Sequence, residues 1–148
     1  MTDVVNAGGH PRRYRIIDHT ADLGLRVYGT TAVDLYESAA RAMFDQIVDT
    51  RCLTGRDSAA VAVTGIDRAD LMVNWLRELL YLWTGKGKLV KTVHVRRLSA
   101  YRLSAAAVCD DFDPHRHGIK TEIKAVTYHR SRVFRSPGGW QATIIFDV

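Results

Sequence analysis

The sequence predicts an α+β domain in which mostly antiparallel sheet packs on two long helices. Three observations carry that expectation. Residues 32–48 and 67–84 repeat apolar side chains at helical spacing, while runs before and after them alternate at period two. The order is strands, helix, helix, strands, with short connections in the second half, which favours antiparallel pairing. A chain of 148 residues, 47% hydrophobic and 25% charged, fits one compact globular domain with a real core.

Taken in order, residues 1–12 are polar and glycine-containing without an apolar h-region. They read as a disordered lead-in, not a secretory signal, and the domain proper is expected over residues 13–148. Residues 14–17 form a short apolar run that reads as a strand. Leu23, Leu25 and Val27 alternate at period two and read as a second strand with one buried face. Between them, Asp18-His19-Thr20-Ala21-Asp22 sits at a strand junction, where side-chain oxygens can converge without interrupting a ladder. Asp and Thr in such a place also commonly bond their own backbone in a turn.

Gly29-Thr30-Thr31 is a turn with a threonine N-cap, and Asp34 falls in the first helical turn, where the dipole favours an anion. Leu35, Ala39, Met43, Phe44 and Ile47 face inward from this helix, with Asp34, Glu37, Arg41 and Asp45 outward. Residues 49–58 read as a loop and 59–65 as a short strand. Asp67 caps the second helix, and Gly85-Lys86-Gly87 stops it. Its residues Leu71, Met72, Trp75, Leu76, Leu79, Leu80, Leu82 and Trp83 cover more than one stripe. A helix apolar over that much of its circumference needs cover on several sides. It is expected to be the most buried element, with Asn74, Arg77 and Glu78 as its wet edge.

Residues 89–97 and 101–109 make a hairpin candidate around Leu98-Ser99-Ala100. The segment 110–118 is an acidic loop holding Asp110, Asp111, Asp113, His115 and His117, marked by Pro114 and Gly118. Residues 119–129 read as one strong strand, followed by Arg132-Val133-Phe134 and then 140–148 after Ser136-Pro137-Gly138-Gly139. There is no internal repeat and no low-complexity tract.

Composition excludes several classes. No apolar run approaches the roughly 20 residues of a membrane helix. Cys52 and Cys109 make neither a disulfide framework nor a CxxC site; they suit a reducing cytoplasm, as buried or half-buried fillers. The net charge of +5 permits contact with RNA or an acidic surface. Yet no aromatic-rich RNA-recognition strand is present, and solvated strand faces account for most of the arginines. The acidic loop lacks two further ligands at zinc spacing. No Gly-x-Ser-x-Gly elbow occurs, and Gly85-Lys86-Gly87-Lys88 follows a helix instead of opening one, so it is a stop signal. Lys124 shares a strand face with Val126 and Tyr128, as a functional cation or as a side chain that snorkels outward.

Asp147 stands apart. Along the last strand Ala142, Ile144 and Phe146 take one face, while Thr143, Ile145 and Asp147 take the other. The terminal carboxylate of Val148 follows as a second anion. Hard divalent cations such as calcium take several oxygens at once. Asp22 and the Asp147-Val148 end supply them if their strands meet; otherwise the end is an ordinary exposed terminus.

His19-Thr20-Ala21-Asp22-Leu23-Gly24-Leu25, the helix around Asp34 to Asp45, Ile123-Lys124-Ala125-Val126-Thr127-Tyr128-His129, Trp140 and the closing Phe146-Asp147-Val148 resemble the archease family. The resemblance runs from about Arg13 to Val148. It departs in a closing valine where isoleucine is common and in the N-terminal extension. What it implies is not an enzyme but a cytoplasmic accessory protein of RNA processing. Its partner would be the GTP-dependent RNA ligase that joins tRNA halves and other RNAs with 3′-phosphate or 2′,3′-cyclic-phosphate ends. The family promotes guanylylation and multiple turnover of that ligase, and a chaperone-like role toward a tRNA methyltransferase is also attached to it. By position, the implied metal ligands are Asp22, Asp147 and the main chain of Val148, with calcium as the implied ion. Asp18 is nearby. The rival reading is a small metal-dependent hydrolase or nucleotidyl-transfer enzyme on the same carboxylates, with His19 as its base. A third reading, a stand-alone RNA-binding module, rests on charge alone.

Overall fold

Among the described residues, two antiparallel sheets enclose two α-helices. The computed structural model describes residues 14–18 and 22–148, so the expected lead-in and His19-Thr20-Ala21 lie outside the described residues. The elements are β1 (Tyr14–Asp18), β2 (Asp22–Gly29), α1 (Ala32–Ile47), a 3-10 turn (Thr50–Cys52), β3 (Asp57–Thr64), α2 (Arg68–Thr84), β4 (Lys88–Leu98), β5 (Arg102–Asp111), β6 (Ala125–Ser136) and β7 (Gly139–Asp147). One sheet has the order β1-β2-β7-β6 and the other β3-β5-β4, every pairing antiparallel. Both helices pack against strands of both sheets. This is the α+β class read from the sequence.

The middle layer explains the apolar helices. Trp75, Leu76 and Leu79 of α2 are fully buried, as expected. The expectation that α2 would be the most buried element needs correcting, because α1 shares the middle: it buries Leu35, Tyr36, Ala39, Ala42, Met43, Phe44 and Ile47 on its way between the sheets. Two hydrogen bonds tie the helices together. The Trp75 indole N–H donates to the Tyr36 carbonyl at 2.9 Å, and the Tyr36 hydroxyl donates to the Arg68 carbonyl at 2.8 Å. Burial pushes the Tyr36 phenol well above its ordinary pKa, so it stays a neutral donor.

Each helix starts with the same device. The Thr31 hydroxyl accepts from the Asp34 amide, while the Asp34 carboxylate accepts from the Thr30 amide. Asp67 accepts from the Asp70 amide, and Asp70 from the Ile66 amide. Such reciprocal caps satisfy N–H groups that a helix start leaves open. Gly29 and Gly65 precede these caps at the same offset, and a Cβ on either would meet the backbone nitrogen of Leu35 or Leu71. So a short Gly-to-Asp-Leu unit recurs at both strand-to-helix joints, where the sequence had shown no repeat. It is too short to register as one by similarity alone.

Other expectations shift at the strands. Residues 119–129 are not one strand. Ile119 makes an isolated bridge with Val48, β6 starts at Ala125, and Lys124 precedes it, exposed. β6 also continues through Arg132-Val133-Phe134, across a bulge between Thr127 and Arg132 that includes Arg130 at φ 54°. The outward-facing Glu37 is half-buried, and its carboxylate accepts the Val95 amide of β4 at 2.9 Å. Cys109 is buried, as a filler should be, but Cys52 is exposed.

The acidic loop is not simply solvated either. β5 runs to Asp111, and Asp110 is buried. Its carboxylate accepts the amides of Thr54 (2.5 Å), Gly55 (2.9 Å) and Arg56 (2.9 Å) and the Thr54 hydroxyl. Burial alone would raise its pKa, but the Arg56 and Thr54 amides, with the Thr54 hydroxyl and Gly55 amide, outweigh it and hold the group below the ordinary value. His117, also buried, accepts the Asp113 amide on Nδ1 at 2.9 Å and closes the following turn.

Candidate functional site: an acidic pair at a sheet end

β2 begins where β7 ends, and their register makes Asp22 and Asp147 direct cross-strand partners. Directly opposite residues share a sheet face, with Cβ atoms roughly 4.5–5.5 Å apart. The local sequence dictates which face. Leu23, Leu25 and Val27 on β2, and Ala142, Ile144 and Phe146 on β7, are buried against the helices, so the residues between them take the other face. Asp22 is half-buried and Asp147 exposed.

The neighbours are set by the same ladder. Ala125 of β6 pairs with Asp147 from the other side, and the Lys124 amide donates to the Asp147 carbonyl at 2.8 Å. Lys124 is therefore beside the pair through its main chain. Asp18 closes β1, where a register irregularity precedes its pairing with Gly24. Val148 follows Asp147 outside the strand and is exposed. His19, the base of the hydrolase reading, lies outside the described residues.

Among the described residues neither Asp22 nor Asp147 has an ion-pair partner, and no group of three or more His, Cys, Asp or Glu side chains suited to a metal is present. Two adjacent carboxylates with no counter-cation fit a hard divalent ion, which takes carboxylate and main-chain oxygens. Such an ion would draw its further oxygens from the main chain or from water. The other acidic clusters are committed elsewhere. Asp110 serves its amide cradle, while Asp57 and Asp111 pair with Lys88 at 2.9 and 2.6 Å. Those two carboxylates raise the Lys88 pKa through their hydrogen bonds.

The class so defined is a small α+β protein presenting an acidic pair at the end of a sheet. Comparison with known proteins gives the family of the fold. The Archease protein family (MTH1598/TM1083) matches residues 14–148, and the chain belongs to that family. Protein archease of Methanosarcina mazei is 35% identical over 141 residues, covering 93% of this chain and 97% of that protein. Protein archease of Pyrococcus furiosus is 36% identical over 141 residues, covering 93% and 99%. Among solved structures, protein 1598 of Methanobacterium thermoautotrophicum superposes with a TM-score of 0.77 at 27% identity, covering 93% of this chain and 99% of that one. The Thermotoga maritima protein TM1083, described as "an archease, possible chaperone", shares the fold with a TM-score of 0.58 at 18% identity, over 90% and 96% of the two chains. No helix among the described residues is long and apolar enough to cross a membrane.

Proposed function

We propose that this protein is a non-catalytic accessory factor of RNA ligation. It promotes guanylylation and multiple turnover of the GTP-dependent ligase that takes 3′-phosphate and 2′,3′-cyclic-phosphate ends, in the cytoplasm. Asp22, Asp147 and the main chain of Val148 hold a hard divalent ion such as calcium. The observation that supports this reading most is the register of β2 and β7, which puts the two family carboxylates opposite each other. When bound, the ion supplies a positive charge that phosphate or carboxylate oxygens of the partner can share. The chain's own residues do the rest. β2 and β7 fix the spacing of the carboxylates, and the Lys124 amide holds the Asp147 carbonyl in place.

A chaperone-like role toward a tRNA methyltransferase is the second reading; the Thermotoga maritima protein is itself described as a possible chaperone. A hydrolase has less support, since it would need a general base and an enclosed pocket beside the pair, and a histidine at a strand junction, as His19 is in the sequence, more often serves as a structural hydrogen bonder.

The experiment follows GTP-dependent guanylylation of the purified cognate ligase with the parent protein, Asp22→Ala or Asp147→Ala. The parent should stimulate and both variants should not, with unchanged circular dichroism. Stimulation by Asp22→Ala equal to the parent would sink the carboxylate-centred reading.

A further inference from the structure

Among the described residues four strands lie at sheet edges, β1 and β6 in one sheet, β3 and β4 in the other. An edge leaves a row of N–H and C=O groups open, and folded proteins blunt it with bulges, charges, proline or a covering element. Three of the four are blunted here. β1 is five residues long with a register irregularity, and β6 is broken by the bulge between Thr127 and Arg132. The Arg77 guanidinium of α2 also donates to the Val126 carbonyl of β6 at 3.0 Å. β4 carries two irregularities and the Glu37 carboxylate on its Val95 amide.

β3 has none of these. It pairs with β5 through eight consecutive residues without an irregularity, and residues 58–64 include neither a proline nor a charged side chain. In such a ladder every second residue of the edge strand turns its main-chain groups away from the partner. Among the described residues, one hydrogen bond reaches the β3 main chain from outside the ladder. It lies at the strand end, where the Asn74 side-chain amide donates to the Thr64 carbonyl at 2.8 Å. Ser58, Ala60, Ala62 and Thr64 are exposed.

The sheet face beside this edge is basic. Arg102 is in register with Thr64, and Arg97 with Ser104 and Ala62. Arg96 lines a shallow depression of about 400 Å³ with Ser58, Ala60, Ala62, Ser104 and Ala106. Arg97 and Arg102 line a second one, of about 540 Å³, which shares Ala62 and Ser104 with the first. All three arginines are exposed, and among the described residues none has an ion-pair partner. The carboxylates of these strands are committed. Asp57 and Asp111 pair with Lys88, and buried Asp110 serves the amides of Thr54, Gly55 and Arg56 at the far end of the face.

We infer that β3 takes up an extended acidic segment of a partner protein as an added strand. The open β3 groups bond the main chain of the segment, and its carboxylates face the arginines over the small side chains of Ala60, Ala62 and Ser104. An added strand lies about 4.8 Å beyond β3, so about 10 Å separate it from β5, a gap that Arg102 and a glutamate close together. Arg96 and Arg97, one strand further, act through their field, within about a Debye length at 0.1 M salt or below. Single-stranded RNA suits this site less, because β3, β4 and β5 carry no Phe, Tyr or Trp on which bases stack. A second copy of the chain brings the same arginines instead of carboxylates. The inference does not rest on the proposed function.

The test uses the full chain in EDTA, without ligase, so that the Asp22 and Asp147 pair plays no part. A fluorescein-labelled nonapeptide alternating valine and glutamate is titrated by anisotropy at low salt. It should bind, and its valine–lysine counterpart should not. Alternate N–H groups of an extended chain point to opposite edges, so N-methylating either the valines or the glutamates blocks one edge. One methylated form should lose binding while the other keeps it. Amide hydrogen exchange should slow at residues 58–63 and stay unchanged on β1, β4 and β6. Arg102→Glu should weaken binding about fivefold or more, and Arg102→Lys should keep it. Arg132→Gln, exposed on β6 of the other sheet, serves as a control and should bind like the parent.

The inference is overturned if the valine–glutamate peptide does not bind, if both methylated forms bind like it, or if the slowed amides lie on another edge. It is also overturned if Arg102→Glu binds like the parent; its side chain is exposed, so this variant remains readable. Displacement of the peptide by oligoadenylate RNA at equal charge concentration would overturn it in favour of a general polyanion patch. Protection of residues 58–63 in a dimer without peptide would overturn it in favour of a second copy.

Discussion

Asp22 and Asp147, from opposite ends of the described chain, are direct cross-strand partners. Two like charges so placed repel, and their proximity carries a trade-off. Asp147→Asn should stabilise the metal-free protein by about 0.2–1 kcal/mol, the size of a cross-strand pair, while reducing the gain in stability on adding calcium. Thermal unfolding in EDTA and in millimolar calcium reads both. A variant less stable than the parent in EDTA would mean that the carboxylates are not repelling one another.

Leu79 is fully buried in α2. Leu79→Ala should cost about 2–5 kcal/mol, the transfer of the lost side chain plus the cavity it leaves. Urea unfolding measures this. A loss below about 0.5 kcal/mol, the size of an ordinary surface substitution, would place the helix at the surface.

Asp110 anchors the segment after the 3-10 turn through three amides and a hydroxyl. Its native pKa is lowered below 3.8, so its contribution is fully present above that value. It is lost as the pH falls through the native pKa, because protonation removes the charge that the amides hold. Asp110→Asn should cost about 1.5–3 kcal/mol at pH 7, the range for hydrogen bonds to a charged group. The gap to the parent should close on acidification below about pH 3.8. Urea midpoints of both proteins from pH 7 to pH 2.5 test this, and a constant gap would refute it.

Gly65 precedes the α2 cap with no room for a side chain, since a Cβ would stand 2.5 Å from the Leu71 nitrogen. Gly65→Ala should therefore destabilise by more than the ~1 kcal/mol that alanine normally gains over glycine in a helix. Gly118→Ala has open space around its Cβ and should be near neutral. Thermal unfolding of the two variants side by side decides it.

The helices were legible in the sequence because their signals are local: helical spacing, Thr31 and Asp67 as caps, Gly85 as a stop. The strand pattern failed where the signal was broken. The bulge between Thr127 and Arg132 interrupts alternation, so β6 read as two pieces, and the extended residues before Ala125 read as strand without a ladder to join. Glu37 read as outward-facing and Asp110 as part of a loop because their partners, Val95 and Thr54–Arg56, are remote in sequence. Face alternation put Asp147 on the outer side of β7, but the pairing of β2 with β7 comes from tertiary structure.

Among the described residues β4 lies at the edge of its sheet and pairs with β5 alone. A border strand with idle amides invites a second chain to extend the ribbon, the first step of fibrous aggregation. The Glu37 carboxylate occupies one of those amides, at Val95, and does so from a helix buried beside the strand. The molecule thus carries, at this point of the border, its own guard against recruiting copies of itself: a charge anchored by α1 holds an amide that a neighbour's backbone would need.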